Sequence, residues 1–284
     1  MQTRTLGGVE IGAIGLGAMP MSLEERPDEA QSIATIHAAL DEGVTLIDTA
    51  DAYSLGGDDT GHNERVVARA LQTYAGDTAK VIVATKGGHV RPGDGSWELE
   101  GDPSHLKAAC DASLTALGTD VIDLYQFHRP DPSVAFAESV GALRDLKEEG
   151  KIRFAGLSNV SIEQIKEAQE VVEITSVQNQ FSPRFRSSEA ELEYCASQGI
   201  AFLPWSPLGG MSDAADLGSN HAAFADVAEA RGVSPQQVAL AWELSKAPVV
   251  IPIPGASRPE TITDSVKAAD LELTQEELDR LDSQ

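Results

Sequence analysis

Asp48, Tyr53, Lys86 and His128 are the residues of this chain whose types and spacing suit joint chemistry. Asp48 and Tyr53 fall in Ile47-Asp48-Thr49-Ala50-Asp51-Ala52-Tyr53, and Lys86 follows Val81-Ile82-Val83-Ala84-Thr85. His128 follows Val121-Ile122-Asp123-Leu124-Tyr125-Gln126-Phe127. Each sits at or just past the C-terminal end of a short apolar run of the kind that forms a buried strand. A free tyrosine ionises near pH ~10, which makes it a poor acid–base group at neutral pH unless something perturbs it. A neighbouring ammonium stabilises phenolate and lowers that pKa, and a carboxylate paired with the ammonium holds it charged and in place. Tyr53 with Lys86 and Asp48 fits that scheme, while His128 could hydrogen-bond a carbonyl oxygen or relay a proton to Tyr53. Such a group suits proton delivery to an oxygen that gains negative charge as hydride reaches its carbon. Taken singly, each residue reads as a cap, a solvated charge, a packed ring or a satisfied polar side chain. Their recurrence at three successive strand ends argues for a shared role.

Positioning them is the work of alternating strands and helices. Val44–Asp48, Val81–Thr85, Val121–Phe127, Ile152–Leu157, Thr175–Asn179, Ile200–Pro204 and Val249–Ile253 read as strands, with Ala13–Leu16 as the first. Amphipathic patterns predict helices over Asp28–Glu42, Glu64–Thr73, Pro103–Leu117, Ser133–Glu149, Ile162–Val171, Ser188–Gln198, Pro235–Ser245 and Pro259–Ala268. Ser161 and Ser234 supply capping signals, the latter ahead of a proline at the first helical position. Eight of each, with no linker or composition shift between them, predict an α/β fold: one (β/α)8 TIM barrel domain over residues 1–284. In a parallel barrel the strand ends share one rim, so the four polar residues converge. Thr3–Glu10, with Gly7-Gly8, predicts a β-hairpin capping the N-terminal mouth, and Gly87–Asp102 a long functional loop on the other rim. Gly12-Ala13-Ile14-Gly15-Leu16-Gly17 lacks the spacing and the βαβ context of a dinucleotide fingerprint, so these glycines read as packing and tight turns instead.

Composition narrows the class. Apolar residues make up 42% of 284, enough for a substantial core. The net charge of −24 argues against nucleic acid or an anionic membrane as partner, and any anionic ligand needs local cations or helix N-termini. Met1–Glu10 is polar and no run approaches membrane-spanning length, so a cytoplasmic protein is expected. Cys110 and Cys195 read as buried free thiols, in keeping with a reducing compartment.

The ordered motifs resemble the aldo-keto reductase superfamily along nearly the whole chain. The resemblance is carried by Ile47-Asp48-Thr49-Ala50 with Tyr53, Asn63-Glu64, Thr85-Lys86 and Gln126-Phe127-His128. It continues through Gly156-Leu157-Ser158-Asn159, Val177-Gln178-Asn179, Trp205-Ser206-Pro207-Leu208 and Ile253-Pro254-Gly255. It implies a barrel that binds an extended nicotinamide cofactor without a Rossmann domain and passes hydride to a carbonyl carbon while the tyrosine protonates the oxygen. It also implies that Ser158, Asn159 and Gln178 hold the nicotinamide carboxamide, and that Gly17 and Met19 pass beside the cofactor. Ser206, Pro207, Leu208 and Gly209 follow from the same likeness as cofactor contacts.

Two features depart from the family pattern. Trp205 stands where a tyrosine usually stacks on the nicotinamide, and an indole can fill that role with more area. Gly255 and Thr261 stand where many members carry basic residues for the 2′-phosphate of NADP. Ser257 and Arg258, just ahead of a helix at Pro259, offer another phosphate grip. Asp264 matches an acidic position that touches adenine. NADPH is thus the expected cofactor, with NADH as the open alternative.

The expected substrate is a small carbonyl compound, held at a mouth lined by Met19, Met21 and Trp97. With the chain ending soon after a helix near Gln275–Leu281, an open, permissive pocket is expected. No metal is expected, and the protein is read as a monomer or weak oligomer. A rival reading is a cofactor-binding regulatory protein similar to the β subunits of voltage-gated potassium channels. A second is a barrel hydrolase using Asp48 and His128 at a metal, which predicts metal dependence.

Overall fold

A computed structural model describes residues 1–210, 214 and 216–283. The chain opens with an antiparallel hairpin, β1 (Thr3–Leu6) and β2 (Val9–Gly12), and then enters β3 (Leu16–Gly17). There follow α1 (Glu29–Asp41), β4 (Leu46–Asp48), α2 (His62–Thr73) and β5 (Ile82–Gly87). The expected long loop contains a small antiparallel pair, β6 (His89–Val90) and β7 (Glu98–Leu99). Next come α3 (Pro103–Leu117), β8 (Ile122–Phe127), α4 (Phe136–Glu148), β9 (Ile152–Ser158) and α5 (Ile162–Gln169). Then follow β10 (Ile174–Gln178), α6 (Glu189–Gln198), β11 (Ala201–Phe202), α7 (Leu217–Asn220) and α8 (Ala222–Arg231). The chain ends with α9 (Pro235–Lys246), α10 (Pro259–Val266) and α11 (Gln275–Asp282).

Seven strands form one parallel ladder in the order β3-β4-β5-β8-β9-β10-β11. Val249–Ile253, expected as the eighth strand, makes no regular strand because Pro252 and Pro254 have no N–H to donate. It still closes the barrel. Ile251 N donates to Phe202 O at 2.9 Å on one side, and Gly15 and Gly17 N donate to Pro252 and Pro254 O at 2.9 and 3.0 Å on the other. Parallel bridges Phe202↔Val250 and Gly17↔Gly255 mark the two seams. The fold is therefore a (β/α)8 barrel, its first strand starting at Leu16 rather than at Ala13.

The interior is layered. Leu46 lies in register with Ile82 across β4 and β5, and Ala84 with Leu124 across β5 and β8, and these pack with Leu203 and Ile251. Leu6 and Ile11 of the hairpin join that cluster, so the hairpin plugs the N-terminal mouth as expected. Towards the C-terminal rim the inward positions turn polar, with Lys86 beside Gln126 and Gln178 beside Ser158. A second core lies between the strands and the helices. Gly12, Gly15 and Gly17 serve close packing, as a Cβ on Gly17 would stand 2.8 Å from Ile253 O. None of the three adopts positive φ, so the expected tight turns are absent there.

The capping signals act as the sequence predicts. Ser161 forms a reciprocal capping box with Gln164, and Ser234 accepts from Gln237 N ahead of Pro235. The sequence reading missed α7 and α8. α8 buries Ala223, Phe224, Val227 and Ala228, a helical spacing that ends at Gly232 in left-handed conformation. Cys110 and Cys195 are buried and free.

Candidate active site

β4 and β5 carry the charged centre. Lys86 Nζ, with no solvent exposure, donates to Asp48 Oδ2 at 2.6 Å, to Thr49 O at 2.8 Å and to Tyr53 OH at 3.1 Å. These three acceptors use its three protons. Asp48 Oδ1 accepts from Gln178 Nε2 at 2.8 Å and from Gln126 Nε2 at 3.3 Å. The ion pair is therefore closed on all sides by hydrogen bonds, the condition under which a buried pair holds its charge. Gln126 was not singled out from the sequence. It lies between Leu124 and His128 at a spacing of two, the strand period that aims all three inward.

The Tyr53 loop is stitched down by the Asn63-Glu64 pair at the start of α2. Thr49 Oγ1 donates to Asn63 Oδ1 at 2.6 Å, and Asn63 Nδ2 reaches Ala18 O at 2.8 Å. Thr85 Oγ1 donates to Glu64 Oε1 at 2.6 Å. His128 then meets the Tyr53 ring edge-on, with centroids 5.7 Å apart. All four expected residues thus come together around one point.

Their electrostatics depart from the sequence expectation in one respect. Burial raises the Tyr53 pKa above the ordinary 10.0, and this outweighs the lowering by the Lys86 ammonium. Burial pulls Lys86 downward, but the Asp48 carboxylate and the Tyr53 hydroxyl more than reverse that, leaving it above 10.5. Burial, then Lys86, His89 and Arg129, hold His128 well below 6.5. The resting site is a neutral phenol, a neutral imidazole and an ammonium.

A cavity of about 470 Å³ opens above this group. Asp48, Tyr53 and His128 reach its floor, while Lys86 is sealed behind them. Gly17, Met19 and Gly255 line one side, and Ser158, Asn159, Gln178 and Trp205 another. Ser206, Pro207 and Leu208 extend the wall, and Gly209 borders a small adjoining pocket. Trp97 stands at the cavity wall, 39% exposed. Met21, expected at the mouth, is fully buried in the outer core instead, where the turn Met19–Met21 points it. Ser257, Arg258 and Asp264 lie outside this cavity's lining. Ser257 O accepts from Gln31 Nε2 at 2.8 Å, Arg258 is the exposed residue before α10, and Asp264 accepts from Ser234 at 2.5 Å and Gln237 at 2.6 Å.

Asn159 and Trp205 are joined in a way the sequence did not reveal. Trp205 Nε1 donates to Asn159 Oδ1 at 3.2 Å, and Asn159 Nδ2 donates to Ser158 Oγ at 2.9 Å and His128 O at 3.1 Å. Asn159 (φ 58) and Ser206 (φ 51) both occupy the left-handed region, a strained backbone that tends to persist at functional sites. His89, Arg129 and Ile253, none of them foreseen as site residues, also line the cavity.

Comparison with known proteins gives consistent likenesses. The profile of the Aldo/keto reductase family matches residues 13–284. An uncharacterised oxidoreductase of Schizosaccharomyces pombe is 36% identical over 286 residues, covering 99% of this chain and 89% of the relative. The solved glycerol dehydrogenase of Gluconobacter oxydans superposes with a TM-score of 0.85 at 28% identity, covering 99% of this chain and 94% of that one. An aldo/keto reductase from Klebsiella pneumoniae, solved with NADP and acetate, gives 0.84 at 28% identity with coverage of 99% and 94%.

Proposed function

The chain belongs to the aldo/keto reductase family, and on that premise we propose that it reduces the carbonyl of a small aldehyde or ketone to an alcohol with Tyr53 as proton donor. The observation that carries this reading is the Lys86 ammonium bonded to both Tyr53 OH and Asp48 with no water access. A nicotinamide cofactor, when bound, supplies the hydride. The lining residues fit such a group: the Trp205 indole offers an apolar wall beside the tetrad, and Gly17 and Gly255 add no side chain of their own where they line the cavity. Relatives solved with NADP and NADPH support NADPH as the donor.

In this scheme the carbonyl oxygen lies between Tyr53 OH and the free nitrogen of His128. As negative charge grows on that oxygen, the Tyr53 O–H proton moves to it and the phenolate left behind is stabilised by Lys86 Nζ. Asp48 keeps Lys86 charged, and Gln126 and Gln178 hold Asp48 in place. Neutral His128 orients the oxygen without competing as the acid.

Tyr53→Phe tests the assignment. Cofactor oxidation with a panel of aldehydes should fall about 10²–10⁴-fold, the usual worth of a positioned general acid, while fluorescence titration shows cofactor affinity retained. Undiminished reduction by the variant sinks the mechanism. Paired titrations with NADPH and NADH test the cofactor preference.

A further inference from the structure

The cavity wall carries two imidazoles, and the scheme above uses only one. His89, at the start of β6, places its ring edge-on to His128 with centroids 4.7 Å apart. It also rests against Trp97, at 5.0 Å, and that indole lies under the Arg91 guanidinium at 4.5 Å. Arg91 is tied in turn to Glu24 at 2.8 Å. The His89 ring is therefore clamped rather than loose at the rim.

One of its ring nitrogens is unmatched. His89 Nδ1 is buried with no hydrogen-bond partner among the described residues, and so is His128 Nδ1. Burial, with Arg129 adding to it, brings the His89 pKa down to about 4. At neutral pH each ring is thus an uncharged imidazole with one donor and one acceptor nitrogen. A polar ring at the edge of an apolar pocket costs free energy unless a ligand or water completes it, and pocket polar groups of this kind set specificity. An apolar ring would pack between His128 and Trp97 equally well, so packing alone does not explain the imidazole.

We propose that His89 is a second substrate contact, holding an oxygen on the carbon next to the reacting carbonyl. The oxygens of a 1,2-dioxygenated fragment lie within hydrogen-bonding reach of each other. Two adjacent imidazoles can therefore take one each: His128 the carbonyl, His89 its neighbour. The site accordingly selects α-hydroxy carbonyl compounds over their alkyl counterparts. The inference rests on the reductase reading and deepens it.

Hydroxyacetone and butanone form a matched pair, differing by a hydroxyl in place of a methyl. The quantity to measure is the ratio of their kcat/KM values in the wild-type chain, in His89→Phe and in His89→Gln. Phenylalanine keeps a ring between His128 and Trp97 while removing both nitrogens; glutamine keeps a donor and an acceptor. The ratio should fall about tenfold in His89→Phe, the size of one neutral hydrogen bond, chiefly through KM for hydroxyacetone. His89→Gln should restore most of it. An unchanged ratio in His89→Phe, whether absolute rates hold or fall together, overturns the inference, as does failure of the wild type to turn over either ketone. Reduction of 4-nitrobenzaldehyde reports on the tetrad separately, and its absence in the wild type defeats the reductase reading itself.

Discussion

Lys86 shows how much a single residue here depends on its neighbours: an ammonium with no exposed surface is tolerable only because three oxygens take its three protons. Lys86, Asp48, Tyr53 and His128 could be singled out from sequence because each is a polar residue at or just past the end of an apolar strand. The sign of the Tyr53 shift was not, since it depends on how completely burial outweighs the ammonium, and only packing fixes that. The sign has a kinetic consequence. A phenol held above its ordinary 10.0 remains protonated across the neutral range, and His128, held well below 6.5, remains neutral there. Reduction should therefore show a kcat independent of pH from about pH 6 to 9, because neither group changes state. Alcohol oxidation needs phenolate and should rise with pH across the same window. A kcat profile for reduction with a break near pH 7 would overturn the assignment of these protonation states. His89 was passed over at the sequence level for the reason that hides many specificity residues: its role lies in what its ring touches, and no spacing announces that.

At the scale of elements, most of the barrel could be read from alternating apolar runs and capping serines, and α3 spans the predicted Pro103–Leu117 residue for residue. The misreadings share a cause. The first strand was placed at Ala13–Leu16 and the last at Val249–Ile253, yet these two segments pair with each other at the closing seam, where the ladder is thinnest. Apolarity reports that a segment is buried, not whether its N–H groups find partners; Pro252 and Pro254 limit that. α8 was missed because His221 offers it no side-chain cap and half of its buried face is alanine. The seam makes a testable demand on Gly17. A Cβ there would meet Ile253 O at 2.8 Å, a backbone atom that can move only if the closing segment moves. Gly17→Ala should cost about 1–3 kcal/mol of stability by overpacking. It should also weaken cofactor binding, since Gly17 and Gly255 line the cavity on either side of that seam. Denaturant unfolding and cofactor titration of the same variant check both effects. Wild-type stability in Gly17→Ala would mean that the seam is looser than its hydrogen bonds indicate.

For the whole molecule, the net charge of −24 and the buried carboxyls pull stability in the same direction. Glu243 of α9 is fully buried, and neither carboxyl oxygen has a hydrogen-bond partner among the described residues. Burial raises its pKa well above the ordinary value, and Asp51 and Glu64 are raised for the same leading reason. In each case the folded chain keeps a proton that the unfolded chain sheds above about pH 4. Their contribution is complete below that pH and is lost as pH climbs through the folded value. Glu277, drawn down to about 2 chiefly by Arg231, and Asp145, lowered chiefly by Lys107, act oppositely and lose their contribution in strong acid. The buried carboxyls should therefore make stability decline towards pH 8, where self-repulsion among the exposed carboxylates is also greatest, while His89 and His128, held neutral in the fold, oppose that trend below about pH 6.5. Salt separates the two causes. The Debye length is ~10 Å at 0.1 M, so added salt screens the surface charges and leaves a buried carboxylate nearly untouched. Glu243→Met, similar in length and without the charge, should raise stability at pH 8 by about 2 kcal/mol, or on the order of 5 °C in the thermal midpoint. The gain should shrink at pH 5, where wild-type Glu243 keeps its proton, and should persist at high salt, where the acidic surface no longer matters. Thermal scans of both proteins at the two pH values and two salt concentrations decide it, and a gain that disappears on adding salt would place the pH dependence on the surface instead.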